Sequence, residues 1–388
     1  MPLIALCVVL ALFVGASPAA AAEVRKGPKG AAFYKPPANA NGKHGALIWA
    51  RRQTGRDAIA GRRSRLMLYR STGVDGKPDA VSGSLAVPKG RAPRGGWPVI
   101  SYAHGTTGSA DRCAPTRGYD VGKLTSYAYP LLRRWLKAGY AVVRTDYQGL
   151  GTPGVHGYLV GAGEGRSVLD AVRAARRLDP RLSRRIVIAG HSQGGHAALF
   201  AAALASSWTP ELRLRGTAAF APASHLAEQF PLTMQLSSPA GGLGSIISLG
   251  LRSVHTLVPA VDAPSLLTPE AAALFPQTLS KCHDGLSKPD SFGGLPLDRI
   301  FRPGADLSGL LAVIGANDPE SVQPRGPVRI DQGDADTTVF KAYTDQLAAE
   351  YETAGVNLTY AVYPGVGHGA IVDDGAAAAT RWIRARFR

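Results

Sequence analysis

Short apolar runs alternate with amphipathic helical patterns from residue 65 to the end of the chain. This alternation predicts an α/β fold in which an eight-stranded, mostly parallel sheet is flanked by crossover helices. The predicted strands are residues 66–69, 80–87, 98–103, 141–145, 185–189, 216–221, 328–332 and 358–363. The predicted helices are residues 127–138, 165–178, 194–206, 338–354 and 376–387. The turn-rich residues 73–78 predict that the first two strands form an antiparallel hairpin.

One long gap interrupts this alternation. Residues 222–327 are rich in Pro, Leu and Ser, with an apolar stretch at 243–251 and a helical pattern at 268–274. Since a structureless loop of this length is unusual inside a domain, we interpret the segment as an inserted, mainly helical cap over the strand ends, where ligands bind in open α/β sheets. The core then comprises residues 64–221 and 328–388.

The first 22 residues contain no charged side chain and carry an apolar run at residues 3–14 that ends in four alanines. This pattern predicts a secretory signal cleaved after about Ala22. A membrane anchor is the alternative, but the run is shorter than the roughly 20 residues that span a bilayer. We therefore expect a secreted protein without a transmembrane segment, beginning with an N-terminal extension at residues 23–63.

Removal of the signal leaves two cysteines, Cys113 and Cys282. In an oxidising compartment one disulfide is the economical interpretation, and two free thiols are the alternative. With so few thiols and no paired-histidine spacing, we expect no metal site.

The formal net charge of +16 raises the question of an anionic partner. The arginine pairs at 51–52, 62–63, 133–134, 176–177 and 184–185 are scattered, and no aromatic recognition motif accompanies them. We therefore expect no nucleic-acid binding. Two interpretations remain: weak attraction to anionic envelope or lipid surfaces, or a solvated basic surface without a partner.

Residues 190–195, Gly-His-Ser-Gln-Gly-Gly, follow the apolar run 186–189 and place Ser192 between two glycines. This is the form of a nucleophile elbow, a sharp strand-to-helix turn that exposes a serine hydroxyl. The pattern alone is weak, because 46 glycines in 388 residues make a chance match common. The residues elsewhere in the chain must therefore decide whether this motif is a nucleophile elbow or a chance match.

Serine-dependent acyl transfer needs a base and an acid that orients the base. Among nine histidines, His368 lies in a glycine-flanked loop just after the last predicted strand, and we expect it to be the base. The loop after the preceding strand offers Asp334 and Asp336; we choose Asp336, with Asp334 as the alternative.

The oxyanion formed in this chemistry needs two backbone donors. The amide of Gln193 is one, because the first N–H groups of a helix lack partners within the helix. The loop 104–108 after the third strand supplies the other, for which we choose the amide of Thr106.

Together these motifs resemble the secretory lipase family, which includes fungal lipase A-type enzymes and secreted actinobacterial lipases and esterases. The resemblance rests on residues 33–37, 101–108, 113–115 and 146–154, the elbow, and the loops of Asp336 and His368. It implies the α/β-hydrolase fold, ester hydrolysis without a cofactor, and a helical cap that contributes the acyl pocket. It also implies that Cys113 pairs with Cys282, tying the cap to the oxyanion loop.

The sequence therefore predicts a carboxylic ester hydrolase acting on a small-molecule or lipid ester through Ser192, Asp336 and His368. Acyl transfer to an alcohol and peptide cleavage use the same triad and remain alternatives. A non-catalytic binding protein of the same fold is the third alternative.

Overall fold

A computed structural model of the chain describes residues 24–38, 42–55, 58–60, 63–118 and 122–388. The signal predicted at residues 1–22 lies outside the described residues. The apolar runs form one mixed sheet of nine strands: β1 (Leu47–Arg52), β2 (Ser64–Thr72), β3 (Pro78–Ala86), β4 (Trp97–Ala103), β5 (Ala141–Thr145), β6 (Leu182–His191), β7 (Arg213–Phe220), β8 (Val328–Gly333) and β9 (Leu358–Tyr363).

The spatial order of the strands is β1-β2-β3-β5-β4-β6-β7-β8-β9. Strands β4 to β9 pair in parallel, whereas β1, β2 and β3 form an antiparallel meander that joins β5. The predicted hairpin of β2 and β3 is confirmed. The predicted count of eight strands is wrong, because β1 in the N-terminal extension adds an edge strand.

Helices connect most of the parallel strands and fill the long gap before β8. They are α1 (Gly122–Ser126), α2 (Tyr129–Lys137), α3 (Gly161–Leu178), α4 (Gln193–Trp208), α5 (Leu226–Thr233), α6 (Gly242–Leu257), α7 (Ala263–Leu266), α8 (Pro269–Leu274), α9 (His283–Leu286), α10 (Ser308–Gly315), α11 (Lys341–Thr353), α12 (Ile371–Asp374) and α13 (Ala376–Phe387). Short 3₁₀ helices occur at Gly30–Tyr34, Asp111–Cys113, Pro115–Arg117, Phe275–Leu279, Phe292–Gly294, Leu297–Arg299 and Pro319–Ser321.

The sheet is covered on both faces, as the continuous apolar runs of its central strands require. Helices α3 and α4 pack on one face against side chains such as Val99 and Ile188. Helices α2 and α13 pack on the other face against Ile100 and Val187. Burying each such side chain contributes about 1.5–3 kcal/mol.

The segment between β7 and β8 holds helices α5 to α10, which form a separate apolar cluster. Tyr158, from the loop before α3, packs into this cluster. The inserted helical segment therefore contacts the core at the carboxyl end of the sheet, where the loops after β4, β6, β8 and β9 also lie.

Candidate active site

Ser192 lies at the turn between β6 and α4, as the elbow pattern predicts. Its backbone is in a strained left-handed region, with φ 57° and ψ −122°. A Cβ on Gly190 would collide with the carbonyl of Gly194, and one on Gly194 would collide with the carbonyl of Ala103. Both glycines are therefore required by close backbone contacts around the serine.

His368 and Asp336 are joined by a hydrogen bond between Nδ1 and Oδ2 of 2.7 Å. Because a carboxylate accepts, Nδ1 carries the proton and Nε2 is left as the acceptor. Asp336 also accepts the amides of Thr338 and Val339, at 2.8 and 2.9 Å. Burial alone would raise the pKa of Asp336, but the His368 partner and these amides together lower it below its ordinary value.

The alternative acid, Asp334, has a different neighbour. Its Oδ1 accepts the amide of Gly365 at 2.6 Å, so it holds the turn that precedes His368. The structure thus brings Asp336, and not Asp334, against the histidine ring.

His191, the residue before Ser192, connects the elbow to the histidine loop. Its Nε2 is 2.8 Å from the carbonyl oxygen of His368, and its Nδ1 is 2.7 Å from the hydroxyl of Tyr127. Within the described part of the chain, no hydrogen bond joins the Ser192 hydroxyl directly to His368. Such bonds are often long in enzymes without substrate and tighten when substrate binds.

Thr106 lies in the loop after β4, beside the elbow. Its hydroxyl is 2.8 Å from that of Tyr158, so it is engaged at the edge of the inserted segment. Its amide has no acceptor among the described residues, which leaves that N–H available to a ligand.

Gln193 begins α4, and its side chain is fixed by buried polar groups beneath the elbow. Its Nε2 donates to Glu164 Oε1 at 2.6 Å. The other oxygen of Glu164 lies 3.3 Å from Nδ1 of His196. Burial alone would lower the pKa of His196, but Glu164 raises it above its ordinary value, which favours a charged pair.

Glu164 also holds the turn that carries Tyr158. It accepts the amide of Leu159, whose φ of 57° is unusual for leucine. This role is not visible in the sequence, because Glu164 lies 29 residues from Gln193 and resembles an ordinary acid in the first turn of a helix.

Cys113 and Cys282 form a disulfide, as the cysteine count and the family resemblance predict. Next to it, the amide of His283 donates to the carbonyl of Thr107 at 2.9 Å. The inserted segment is thus attached covalently and by a hydrogen bond to the loop of Thr106.

A cavity of about 110 Å³ lies between the inserted segment and the loop before α3. Its walls are mostly apolar and include Phe230, Ile247 and Leu251. It reaches Thr338, next to the Asp336 loop, and Tyr158, the partner of Thr106.

Among the described residues, no helix is both long and apolar enough to cross a bilayer. The same residues contain no group of three or more His, Cys, Asp or Glu side chains arranged to hold a metal ion.

Comparison with known proteins shows that this chain is similar to lipases. The family model "Secretory lipase" matches residues 121–241. Lipase 2 of Candida albicans is 27% identical over 92% of this chain and 80% of its own length. A probable inactive lipase of Mycobacterium tuberculosis is 26% identical over 83% of this chain and 73% of its own.

The chain is similar to the secretory lipase family. The fold agrees with this similarity, because Candida antarctica lipase A in its closed state superimposes with a TM-score of 0.77. That alignment covers 91% of this chain and 85% of the other at 20% identity. The predicted α/β-hydrolase fold is confirmed, and the similarity to this family supports a lipase or esterase.

Proposed function

We propose that this chain is a secreted serine carboxylic ester hydrolase that forms an acyl-enzyme intermediate. Ser192 attacks the ester carbonyl, His368 takes and returns the proton, and Asp336 holds the imidazole in the required tautomer. The observation that carries the proposal is the 2.7 Å hydrogen bond between His368 and Asp336, on a loop that His191 holds beside the elbow.

The amides of Thr106 and Gln193 are proposed to receive the oxyanion. Support comes from the free N–H of Thr106 and from the position of Gln193 at the first turn of α4. Because backbone donors fixed in advance need no reorganisation during the reaction, the loss of one typically slows such enzymes about 10²- to 10³-fold.

We further propose that residues 222–327 are a cap whose cavity holds the acyl chain of a lipid ester. The apolar walls exclude water from an alkyl chain, and burial contributes about 0.8 kcal/mol per CH₂ group. Thr338 and Tyr158 line the cavity and also contact Asp336 and Thr106 of the proposed site. An acyl chain whose carbonyl carbon is held at Ser192 would therefore extend into the cavity.

A signal at residues 1–22 and secretion remain part of this proposal, and the name of the matching family supports them. A second candidate function is non-catalytic lipid binding. It is favoured by the relative that is named a probable inactive lipase.

Labelling with a fluorophosphonate probe tests the proposal and separates the two candidates. Wild type should be labelled and Ser192→Ala should not. Ser248→Ala is the matched control, because Ser248 is a buried serine of α6 that does not line the cavity, and it should be labelled like wild type. Labelling that survives in Ser192→Ala would refute this nucleophile, and an unlabelled but folded wild type would favour the binding protein.

A further inference from the structure

Two positively charged clefts adjoin at the end of the sheet opposite Ser192. Arg65 and Arg181 line one cleft, Arg133 and Lys137 line the other, and Arg63 and Lys89 line both. We call these joined clefts the basal groove. The function proposed above makes no use of it.

The fold explains why distant arginines converge at this end. Strands β4 and β6 begin here, and α2 and α3 end here, because a crossover helix runs antiparallel to the parallel strands that it connects. Arg134 and Lys137 lie in the last turn of α2, and Arg176 and Arg177 lie in the last turn of α3. Of these four, Lys137 lines the basal groove, whereas Arg176 and Arg177 line a separate cleft with Glu211. Cations in the last turn of a helix interact favourably with the helix dipole, so the fold tolerates this concentration of positive charge.

Asp179 compensates Arg181 and Arg65 of the basal groove, whereas three of its other cations lack such a partner within the described residues. The only carboxylate lining it is that of Asp179, among the described residues, and both oxygens of Asp179 are already bonded to Arg181, at 2.9 and 2.7 Å. Lys89, Arg133 and Lys137 are exposed and have no carboxylate at ion-pair distance within the described ranges.

We propose that the basal groove binds a linear phosphodiester polymer that carries no bases, such as a poly(glycerol phosphate) chain. Lysine and arginine side chains bind phosphate strongly, and cations spaced along a concave groove can follow a charged chain. The active site lies at the opposite end of the sheet. An enzyme molecule bound to the polymer through the basal groove would therefore have its active site facing away from the polymer and open to an ester substrate.

The apolar side chains argue against a bilayer as the occupant. The large apolar residues exposed in the described part of the chain are Leu232, Leu236, Leu279 and Val362. These lie in the inserted segment or in β9, and none lines the basal groove, which therefore lacks apolar anchors for a membrane interface. Nucleic acid is disfavoured because Trp97, the aromatic side chain of the groove, is only 6% exposed and cannot stack on bases.

Binding to fluorescently labelled poly(glycerol phosphate), titrated against salt, tests this proposal. The test variant is Lys89→Glu/Arg133→Glu/Lys137→Glu. The control is Lys77→Glu/Lys288→Glu/Arg302→Glu, which makes the same charge change at exposed positions outside the groove. Unchanged circular dichroism and melting temperature would verify that both variants fold.

We expect the test variant to bind at least about 10-fold more weakly and the control to stay within about 3-fold of wild type. The slope of log Kd against log salt should fall by about 2 in the test variant, since each phosphate contact contributes about 0.7. Equal losses in both variants would overturn the proposal. Tighter wild-type binding to phosphatidylglycerol vesicles or single-stranded DNA at equal phosphate concentration would also overturn it.

Discussion

The rings of His191 and His368 lie 4.6 Å apart between centroids, and Nε2 of His191 is 2.8 Å from the carbonyl oxygen of His368. Burial lowers the pKa of His191 to about 3, so its ring is neutral at ordinary pH. Because a carbonyl only accepts, Nε2 carries the proton, and Nδ1 then accepts from the Tyr127 hydroxyl. One hydrogen bond thus ties the loop of the proposed base to the residue before the proposed nucleophile.

Replacing His191 should therefore reduce kcat more than it changes KM. In His191→Phe the loop of His368 loses its donor, and a displacement of about 1 Å at a reacting group costs roughly 10²-fold in rate. His191→Gln, whose amide retains a donor, should recover part of kcat on a soluble p-nitrophenyl ester. Tyr127→Phe keeps the link to His368 and is the control. A kcat in His191→Phe equal to that of wild type would contradict this positioning role.

The two aspartates of the β8 loop form a matched pair for testing the acid. Asp336→Asn should lower kcat by about 10⁴-fold, because the amide no longer holds His368 in the reactive tautomer. Asp334→Asn should stay within about 3-fold of wild type, since an asparagine oxygen can still accept from Gly365. Steady-state kinetics on one soluble ester compare them directly. Equal losses in the two variants would show that loop integrity, and not the contact of Asp336 with His368, sets the rate.

The sequence predicted most of the sheet because its central strands are continuous apolar runs. It did not predict β1, which carries three basic or aromatic positions and has one neighbouring strand, β2. The burial of Trp49 depends on Phe33, with ring centroids 6.1 Å apart, in a segment without strand character. An edge strand stabilised by a distant segment has no strong local pattern to detect.

The three proposed catalytic residues were identifiable because each follows a different strand in a known order. The residues that position them were not, because their partners are remote in sequence. His191 meets His368 across 177 residues, and Glu164 meets His196 across 32. Likewise, one apolar stretch of α6 serves two surroundings: Leu249 is buried in the cluster of the inserted segment, whereas Leu243, Ile246 and Gly250 line the cavity. Only packing decides which side of α6 faces the cavity.

Filling the cavity should change the acyl-chain preference. Gly250 lies on α6 in the cavity wall, and a Cβ there meets no other atom within 4 Å. Gly250→Leu should place a side chain in the cavity and lower kcat/KM for long-chain esters at least about 10-fold, because losing the burial of two CH₂ groups costs about 1.6 kcal/mol. The kcat/KM for acetate esters should stay unchanged, because an acetyl group does not reach the cavity.

The control for this variant is Gly309→Leu, an exposed helical glycine of α10 that does not line the cavity. Both substitutions remove a helical glycine, so both gain helix propensity by a similar amount. Rates against a series of p-nitrophenyl esters give the profile. An identical profile for Gly250→Leu and Gly309→Leu would rule out this cavity as the acyl site.

Buried histidines should make the fold acid-sensitive. Burial lowers the pKa of His104 to about 3 and that of His283 to about 4, in addition to the effect at His191. The unfolded chain, with a histidine pKa near 6.5, binds these protons first, so stability falls as pH drops below about 6.5. His196 acts in the opposite sense: its raised pKa stabilises the fold at low pH and its contribution is lost as pH rises through that pKa.

The melting temperature should therefore fall steeply between pH 7 and about pH 5, where each histidine with a lowered pKa costs about 2 kcal/mol. His283→Gln should flatten this dependence, because it removes one group that takes up a proton on unfolding while its amide can still bond to Ser245. Ser245→Ala removes only the hydroxyl partner of His283 and keeps its imidazole, so it should keep the wild-type slope. If His283→Gln and Ser245→Ala show equal slopes, the acid sensitivity does not arise from burial of His283.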